Sequence, residues 1–302
     1  MKKVLSLCLT ALIILSCTAA ENSRKDDSPA PAVKASGLSG EIKPGRWLKN
    51  ILVSNVKIQI YFPAGYTHGK KYRTIIALHS YDSNEREFEK NASLESLANR
   101  YNFVIVTPSM RKSVYEASYY PETVYKWNGL PGGKFIGETL IKFLNDNFNL
   151  ASNRESTGIM GVTVGAHGAI KTAAIYHKRF NAAAGISGFY DPTTIQSGKI
   201  IEAVYGSYKS HPERWENECS PIALAEKLAD VHVFLYHGTR NDAFNAGQSR
   251  MMAIRLRSLQ RTSASGSFNV TYRENKNGYQ GWTYWKRHIP EIMEFMDQNL
   301  KV

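Results

Sequence analysis

A chain of 302 residues with 43% hydrophobic and 21% charged residues can bury a large core, so its length and composition exclude a wholly disordered protein. Lysine and arginine total 38 and aspartate and glutamate total 26, which gives a formal net charge of +12. Since no run of five or more basic residues occurs, we expect a basic surface without a nucleic-acid partner.

The N-terminus has the pattern of an export signal. Two lysines precede an apolar stretch, Val4–Leu15, that is too short to span a bilayer comfortably. The stretch runs into Leu15-Ser16-Cys17, which resembles a bacterial lipobox. We therefore predict a signal peptide over residues 1–16, lipidation of Cys17, and a membrane lipoprotein of the bacterial cell envelope that faces the periplasm or the outside.

An alternative is ordinary cleavage after Thr18-Ala19-Ala20 and release of a secreted protein. Residues 17–39 are rich in Ala, Ser, Asp, Lys and Pro and contain almost no large apolar residue, which predicts a flexible tether. Because no repeat and no later change in composition occurs, we expect residues 40–302 to form one domain.

The hydrophobic pattern of this domain alternates between strands and helices. Val56–Tyr61 has the period of two that is typical of a half-exposed antiparallel strand at a sheet edge. Five short apolar runs are typical of strands buried on both faces of a parallel sheet: Thr74–Leu78, Phe103–Val106, Ile159–Val162, Ala182–Ile186 and Val231–Tyr236. Helical patterns occur at Ser93–Asn99, Ile136–Asn147, Ala166–Tyr176, Ile222–Ala229, Gln248–Leu259 and Ile289–Leu300. This order predicts an α/β fold with a doubly wound, mostly parallel sheet and helices on both faces.

Ligands of open α/β sheets bind beyond the carboxyl ends of the strands, and one loop there has a recognisable pattern. Gly161-Val162-Thr163-Val164-Gly165 follows a predicted strand and begins a predicted helix. This is the context of a nucleophile elbow, a tight turn that requires small residues on both sides of the nucleophile. The pattern therefore indicates Thr163 as the residue at the nucleophile position.

The elbow continues as Gly-Ala-His167-Gly-Ala, and the whole segment resembles the G-x-S-M-G-G-H-G-A segment of the esterase D family. The resemblance extends over about residues 56–298. Residues 78–84 are similar to the family's oxyanion loop, residues 236–242 to the loop with the catalytic acid, and residues 278–296 to the segment with the catalytic histidine. It implies an α/β-hydrolase fold, an acyl-ester substrate and no cofactor.

The chain departs from the family pattern at the catalytic positions. Thr163 stands in place of serine, and alignment on Trp282 puts Gln280 at the position of the histidine. A neutral amide cannot accept the hydroxyl proton, so the attack loses its base. The acid position falls on Asn241 if the loop has the family's length and on Asp242 if the loop is one residue longer. We expect the site to be inactive.

The resemblance also implies the oxyanion donors and the scaffold around them. The backbone amides of Tyr81 and Val164 are the candidate donors. Ser80 replaces a glycine after His79, which predicts a less freely turned oxyanion loop. His79 and His167 match structural histidines of the family. His288 lies in the last predicted helix, where a packing role is the first interpretation and a substitute base the second.

Five aromatic residues follow the third predicted strand: Tyr115, Tyr119, Tyr120, Tyr125 and Trp127. Packing is their default role, and a platform for a carbohydrate or aromatic ligand is the functional alternative. The histidines are scattered and form no spaced pair with Asp, Glu or Cys, so we expect no metal site.

These patterns leave three functional hypotheses. The first is a lipid-anchored, degenerate esterase that binds a small ester, a carbohydrate or a cell-envelope ligand or partner. The second is an active carboxylesterase or acyltransferase with Thr163 as nucleophile. The third is a surface lipoprotein whose basic face docks an anionic polymer.

Overall fold

The computed structural model describes residues 34–37, 40–195, 198–240, 244–263 and 267–302. Within these residues nine strands form one sheet in the spatial order β1-β2-β3-β5-β4-β6-β7-β8-β9. The strands are β1 (Ala35–Ser36), β2 (Arg46–Val53), β3 (Val56–Phe62), β4 (Arg73–Leu78), β5 (Phe103–Pro108), β6 (Thr157–Val162), β7 (Ala182–Ile186), β8 (His232–Arg240) and β9 (Asn269–Tyr279).

The α-helices of the described residues are α1 (Glu87–Asn91), α2 (Leu94–Tyr101), α3 (Gly132–Lys134), α4 (Ile141–Phe148), α5 (Val164–Ile175), α6 (Lys199–Tyr205), α7 (Gly247–Thr262), α8 (Trp282–Trp285) and α9 (Ile289–Asn299). Two π-helical segments, Phe135–Leu140 and Arg214–Glu218, and two 3₁₀ segments, Pro192–Ile195 and Ala225–Leu228, complete the set. Among the described residues, no helix combines the length and apolar character needed to cross a bilayer.

The sheet is parallel from β5 to β9 and antiparallel at the other side. Strands β5, β4, β6, β7, β8 and β9 run parallel to their neighbours, whereas β1, β2 and β3 pair antiparallel. The carboxyl ends of β4, β6, β7 and β8 therefore meet at one edge of the sheet, where the candidate site lies.

Helices cover both faces of the sheet, as the apolar runs predict. In β4, Ile76 and Leu78 belong to one buried core and Ile75 and Ala77 to the other. Helices α4, α5 and α7 contribute to the first core, and α2 and α9 contribute to the second. A strand that buries successive residues on opposite faces needs an uninterrupted apolar sequence. The predicted α/β-hydrolase fold is confirmed.

The edge of the sheet differs from the prediction. Val56–Tyr61 forms the antiparallel strand β3, but β3 lies between β2 and β5 and is almost wholly buried. The pattern does not predict the strands outside it, because β2 contains a bulge between Leu48 and Ile51 that breaks its alternation. Within residues 17–39, the expected tether, Ala35–Ser36 pairs with β2, so the fold includes residues before residue 40.

The prediction of an α-helix over Ile222–Ala229 is wrong. Only Ala225–Leu228 is helical, as a short 3₁₀ segment. The backbone N–H of Ile222 donates to the carbonyl of Tyr190 and not to a preceding turn. The N–H groups of Ala225 and Lys227 donate to the carbonyls three residues before them, those of Ile222 and Leu224, which is the hydrogen-bond pattern of a 3₁₀ turn.

Candidate functional site

The turn between β6 and α5 has the backbone geometry of a nucleophile elbow. Thr163 has φ 51° and ψ −113°, a conformation that costs a β-branched residue of the order of 1–3 kcal/mol. Its N–H donates to the carbonyl of Ile186 at 2.8 Å, and its carbonyl accepts from the N–H of His167 at 3.1 Å. These backbone bonds hold Thr163 at the carboxyl edge of the sheet, with its side chain 3% exposed.

The glycines on both sides of Thr163 are required by close contacts. A Cβ at Gly161 would lie 2.2 Å from the carbonyl oxygen of Gly165, and a Cβ at Gly165 would lie 2.2 Å from that of Leu78. Both obstacles are backbone atoms, which cannot rotate away. The elbow therefore packs so closely on the end of β4 that only hydrogen fits at these two positions.

Thr163 and Gln280 line one cavity. The cavity has a volume of about 460 Å³ and lies beyond the carboxyl ends of the strands. Its lining residues are Tyr81, Val114, Thr163, Val164, Phe189, Thr194, Ile195, Gly198, Ile200, Ile201, Phe244 and Gln280. None of these described residues carries a charge, and most are apolar, so this part of the lining suits an uncharged, largely apolar group.

The two candidate oxyanion donors also border this cavity. Val164 is the first residue of α5, so its N–H has no carbonyl of the helix to bond. The N–H of Tyr81 donates to no carbonyl or side chain of the described residues. Both amides therefore remain available to a carbonyl oxygen in the cavity.

Ser80 was expected to make the oxyanion loop turn less freely, but the loop does not require a positive φ at residue 80. The residue of this loop with a positive φ is Asp82, at 56°, and Ser80 is not among the positive-φ residues. The N–H of Ser80 donates to the carboxylate of the buried Glu87 at 2.7 Å, and its hydroxyl donates to the same carboxylate at 2.6 Å. Ser80 thus anchors the loop through its side chain.

His79 and His167 are scaffold residues, as predicted. Nε2 of His79 accepts from the backbone N–H groups of Met110 and Arg111 at 2.7 and 3.1 Å. The imidazole of His167 stacks on Phe189 at 4.1 Å between ring centroids. Burial lowers the pKa of His79, and burial lowers the pKa of His167 well below that of a free histidine. Both rings are therefore neutral at pH 7.

His288 is a packing residue and does not reach the cavity. It lies immediately before α9 and not within the helix as expected, its Nε2 bonds the hydroxyl of Tyr236 at 2.8 Å, and the two rings stack at 3.9 Å. Tyr236 also bonds the hydroxyl of Tyr284. None of the eight histidines of the chain, all of which the structure describes, lines the cavity that contains Thr163.

The five tyrosine and tryptophan residues after β5 do not line this cavity either. Tyr115 is 1% exposed and packs against Gly168, where an added Cβ would lie 2.3 Å from its ring. The hydroxyl of Tyr119 donates to the carbonyl of Asn128 at 2.8 Å. Trp127 packs edge-on against Phe135. These contacts support the packing interpretation, and the predicted aromatic platform does not border the cavity.

The aromatic residues of the cavity are Tyr81, Phe189 and Phe244, and the last two were not predicted. Phe189 follows the end of β7 and Phe244 follows the end of β8, so their position after parallel strands was the signal that could have identified them. The side chain of His237 bonds the carbonyl of Phe244 at 2.9 Å, which fixes this wall of the cavity.

A second cavity of about 440 Å³ adjoins the first. Thr194, Ile195 and Phe244 border both cavities, and the start of α7 closes the second. Gln248 of α7 accepts from the N–H groups of Tyr190 and Asp191 at 2.8 Å and donates to the hydroxyl of Thr194 at 2.5 Å. One side chain thus holds the loop that separates the two cavities.

Three predicted residues lie outside the described part of the chain. Asn241 and Asp242 immediately follow β8, and Cys17 lies in the N-terminal segment. Among the described residues, no group of three or more His, Cys, Asp and Glu side chains could hold a metal ion.

Comparisons with known proteins match most of the chain to esterases. Residues 50–296 match the family model that is described as "Putative esterase". An acetyl esterase from Caldicellulosiruptor saccharolyticus is 25% identical over 235 residues, which make up 75% of this chain and 84% of that protein.

Solved structures with the same fold include the S-formylglutathione hydrolase FrmB of Staphylococcus aureus. It is 19% identical, with a TM-score of 0.63, and the match covers 80% of this chain and 92% of that one. MPT51 (FbpC1) of Mycobacterium tuberculosis is 20% identical, with a TM-score of 0.65, over 81% of this chain and 94% of that one.

Proposed function

Because the chain belongs to the esterase family of the α/β-hydrolase fold, we propose that it is a degenerate esterase that binds a small carbonyl-containing ligand in the former active site. The observation that carries this proposal is that the cavity beside Thr163 has no histidine in its lining. All eight histidines are described and none lines the cavity, and the sequence resemblance assigns Gln280, which does line it, to the position of the catalytic histidine. Without that base the threonine hydroxyl keeps its proton and remains a weak nucleophile.

The shape and polarity of the cavity indicate the class of ligand. The amides of Tyr81 and Val164 can donate to a carbonyl oxygen, and the hydroxyl of Thr163 and the amide of Gln280 add two neutral polar groups. Apart from Tyr81 and Thr194, the remaining described wall is apolar, with Phe189 and Phe244 as its aromatic residues. An ester or amide with a branched or aromatic apolar group satisfies both parts of this surface.

Binding and turnover can be measured with one probe, 4-nitrophenyl butyrate. We expect saturable binding and hydrolysis no faster than about 10³–10⁴ times the reaction in water, the level that an oxyanion hole and binding alone supply. Ile201→Trp should fill the cavity and remove binding, whereas Val124→Trp, at a position 87% exposed, should leave binding unchanged. Loss of binding in both variants or in neither would contradict the proposal.

A second candidate function is ester hydrolysis with Thr163 as nucleophile. The elbow geometry and the free oxyanion amides favour it, and an acetyl esterase is among the relatives. If this function holds, the chain turns over 4-nitrophenyl butyrate well above the level stated above, and Thr163→Ala abolishes turnover while the variant still binds the ester. Turnover that survives Thr163→Ala counts against this function.

We also propose that Cys17 attaches the chain to a membrane of the bacterial cell envelope. The support is the lipobox-like sequence that precedes Cys17. Cells grown with labelled palmitate should incorporate the label into the chain, and Cys17→Ser should remove the label. Secretion after cleavage at Thr18-Ala19-Ala20 predicts no label in either form.

A further inference from the structure

Helix α7 presents an exposed face that combines basic and apolar side chains. Arg250, Ile254, Arg257 and Arg261 are spaced i, i+4, i+7 and i+11, which places them in one row along the helix. Met251 and Ser258 flank this row, and all six residues are exposed. We name these six residues the α7 face.

The fold does not need the α7 face. The opposite side of the helix buries Met252, Ala253, Leu256 and Leu259 in the core beside the sheet. Ile254 is nevertheless 58% exposed and Met251 38% exposed, and both are among the large hydrophobic side chains that the described surface leaves in water. These two side chains lie one turn apart and form a small apolar patch that is free to contact a surface outside the chain.

The charge of this face has one sign. Helix α7 contains four arginines and no aspartate or glutamate. Arg250 forms an ion pair with Glu274 at 2.8 Å, and Arg255, beside the face, pairs with Glu226 at 2.9 Å. Arg257 and Arg261 make no ion pair with any described residue. The outer end of the face is therefore cationic, in a chain with a formal net charge of +12.

The side chains of the α7 face indicate which kind of surface binds there. Arginines attract lipid phosphates and keep their charge in the headgroup region, while Ile254 and Met251 can bury apolar surface at the acyl boundary. A soluble anionic polymer would satisfy the arginines alone and leave both apolar side chains in water. We propose that the α7 face docks on a bilayer surface that contains anionic lipids.

Docking would also bring the second cavity to the lipid surface. Met251 belongs to the α7 face and lines this cavity together with Gly247 and Gln248. The proposal is independent of the ligand-binding function, since it rests on the outer side of α7.

The test uses the mature chain without the predicted signal peptide, residues 1–16, and with Cys17→Ser, so that neither the apolar signal nor an acyl chain contributes to binding. Co-sedimentation is measured with vesicles of phosphatidylcholine alone and with vesicles in which about one third of the lipid is phosphatidylglycerol. We expect binding to the anionic vesicles that weakens as salt rises. Arg257→Glu with Arg261→Glu should lower the affinity by roughly thirtyfold or more, because each basic group near an anionic surface contributes about fivefold.

Two further variants make the result specific. Lys70→Glu with Lys71→Glu changes the net charge equally in the loop between β3 and β4, where both lysines are exposed, and should change the affinity by less than about threefold. Ile254→Ser should lower vesicle affinity about tenfold through lost apolar burial and leave binding to soluble polyphosphate unchanged. Equal losses in the two double variants, or vesicle binding that Ile254→Ser does not change, would overturn the proposal. Thermal unfolding of each variant confirms that it is folded.

Discussion

The indole N–H of Trp282 donates a hydrogen bond of 2.7 Å to the carboxylate of Glu87, and this bond joins the two loops that carry Tyr81 and Gln280. The same carboxylate accepts the N–H and the hydroxyl of Ser80. Two walls of the cavity thus depend on one buried acidic side chain, which lines neither of them.

Glu87→Gln should loosen both walls. Glutamine keeps one acceptor oxygen and adds two donors, so at least one of the three donors loses its partner. We expect the free energy of unfolding to fall by about 1–3 kcal/mol and the affinity for the ester probe to fall with it. Urea denaturation measures the first effect. Glu85→Gln is the control, since its carboxylate accepts no hydrogen bond from a described residue, and an equal loss there would contradict the role of Glu87.

Thr163→Gly should relieve backbone strain at the elbow. Glycine adopts a positive φ without the penalty that a β-branched side chain incurs, and this gain exceeds the loss of one small buried side chain. We expect the free energy of unfolding to rise by about 1 kcal/mol. The same replacement at Thr271, in the edge strand β9, should lower it, because glycine costs entropy in an ordinary strand. A loss of stability at both positions would argue against strain at Thr163.

Gly165→Ala should be strongly destabilising. The added Cβ would lie 2.2 Å from the carbonyl oxygen of Leu78 and 2.5 Å from that of His79, so β4 or α5 must move. We expect a loss of about 3 kcal/mol or more. Gly129→Ala is the matched control, since no atom lies within 4 Å of the position that its added methyl group would take, and it should change stability by less than about 0.5 kcal/mol. Equal Tm values for the two variants would exclude close packing at the elbow.

The two scaffold histidines should make the fold sensitive to acid. Burial lowers the pKa of His167 well below the 6.5 of an unfolded histidine, and burial also lowers the pKa of His79. Below pH 6.5 the unfolded chain therefore takes up protons that the folded chain does not. The free energy of unfolding is highest above pH 6.5 and falls as the pH drops below it. His167→Phe should reduce the slope of unfolding free energy against pH by about 1.4 kcal/mol per unit. Urea titrations between pH 7 and pH 5 test this, and parallel curves for variant and wild type would refute it.

Restoring the family's serine and histidine tests whether the site lacks only its nucleophile and its base. Thr163→Ser together with Gln280→His returns a nucleophile and a base to the cavity that both positions line. We expect turnover of 4-nitrophenyl butyrate to rise by at least about 10²-fold, the smaller end of what general base catalysis contributes. Thr163→Ser alone should gain little, because a serine without a base stays protonated. An equal gain from the single variant would show that a base is already present.

The interior of the fold can be predicted from the sequence because burial leaves a pattern. The apolar run Ala182–Ile186 predicts strand β7 with its observed bounds, since each of its residues is buried on one face or the other. Strand β9 has no such signal, because it is the edge strand and mostly polar, with one residue fully buried, Gly278. A half-exposed edge carries no continuous apolar run.

The candidate site divides in the same way. The glycine spacing of the elbow identifies Thr163, and the alignment on Trp282 identifies Gln280. In the structure the two residues line one cavity. Phe244 and Ile201 were not predicted, because they line the cavity from a loop and a short helix that have no period of their own. Their place in the cavity depends on the path of the chain.

Gln248 connects the inner and outer sides of α7. Its side chain holds the backbone of Tyr190 and Asp191 and the hydroxyl of Thr194, which borders both cavities. A shift of α7 would therefore move the partition between the cavities, and a ligand that moves the partition would shift α7. Such coupling is thermodynamically reciprocal. If contact of α7 with a membrane surface changes the affinity for the ligand by some factor, the bound ligand changes the affinity for that surface by the same factor.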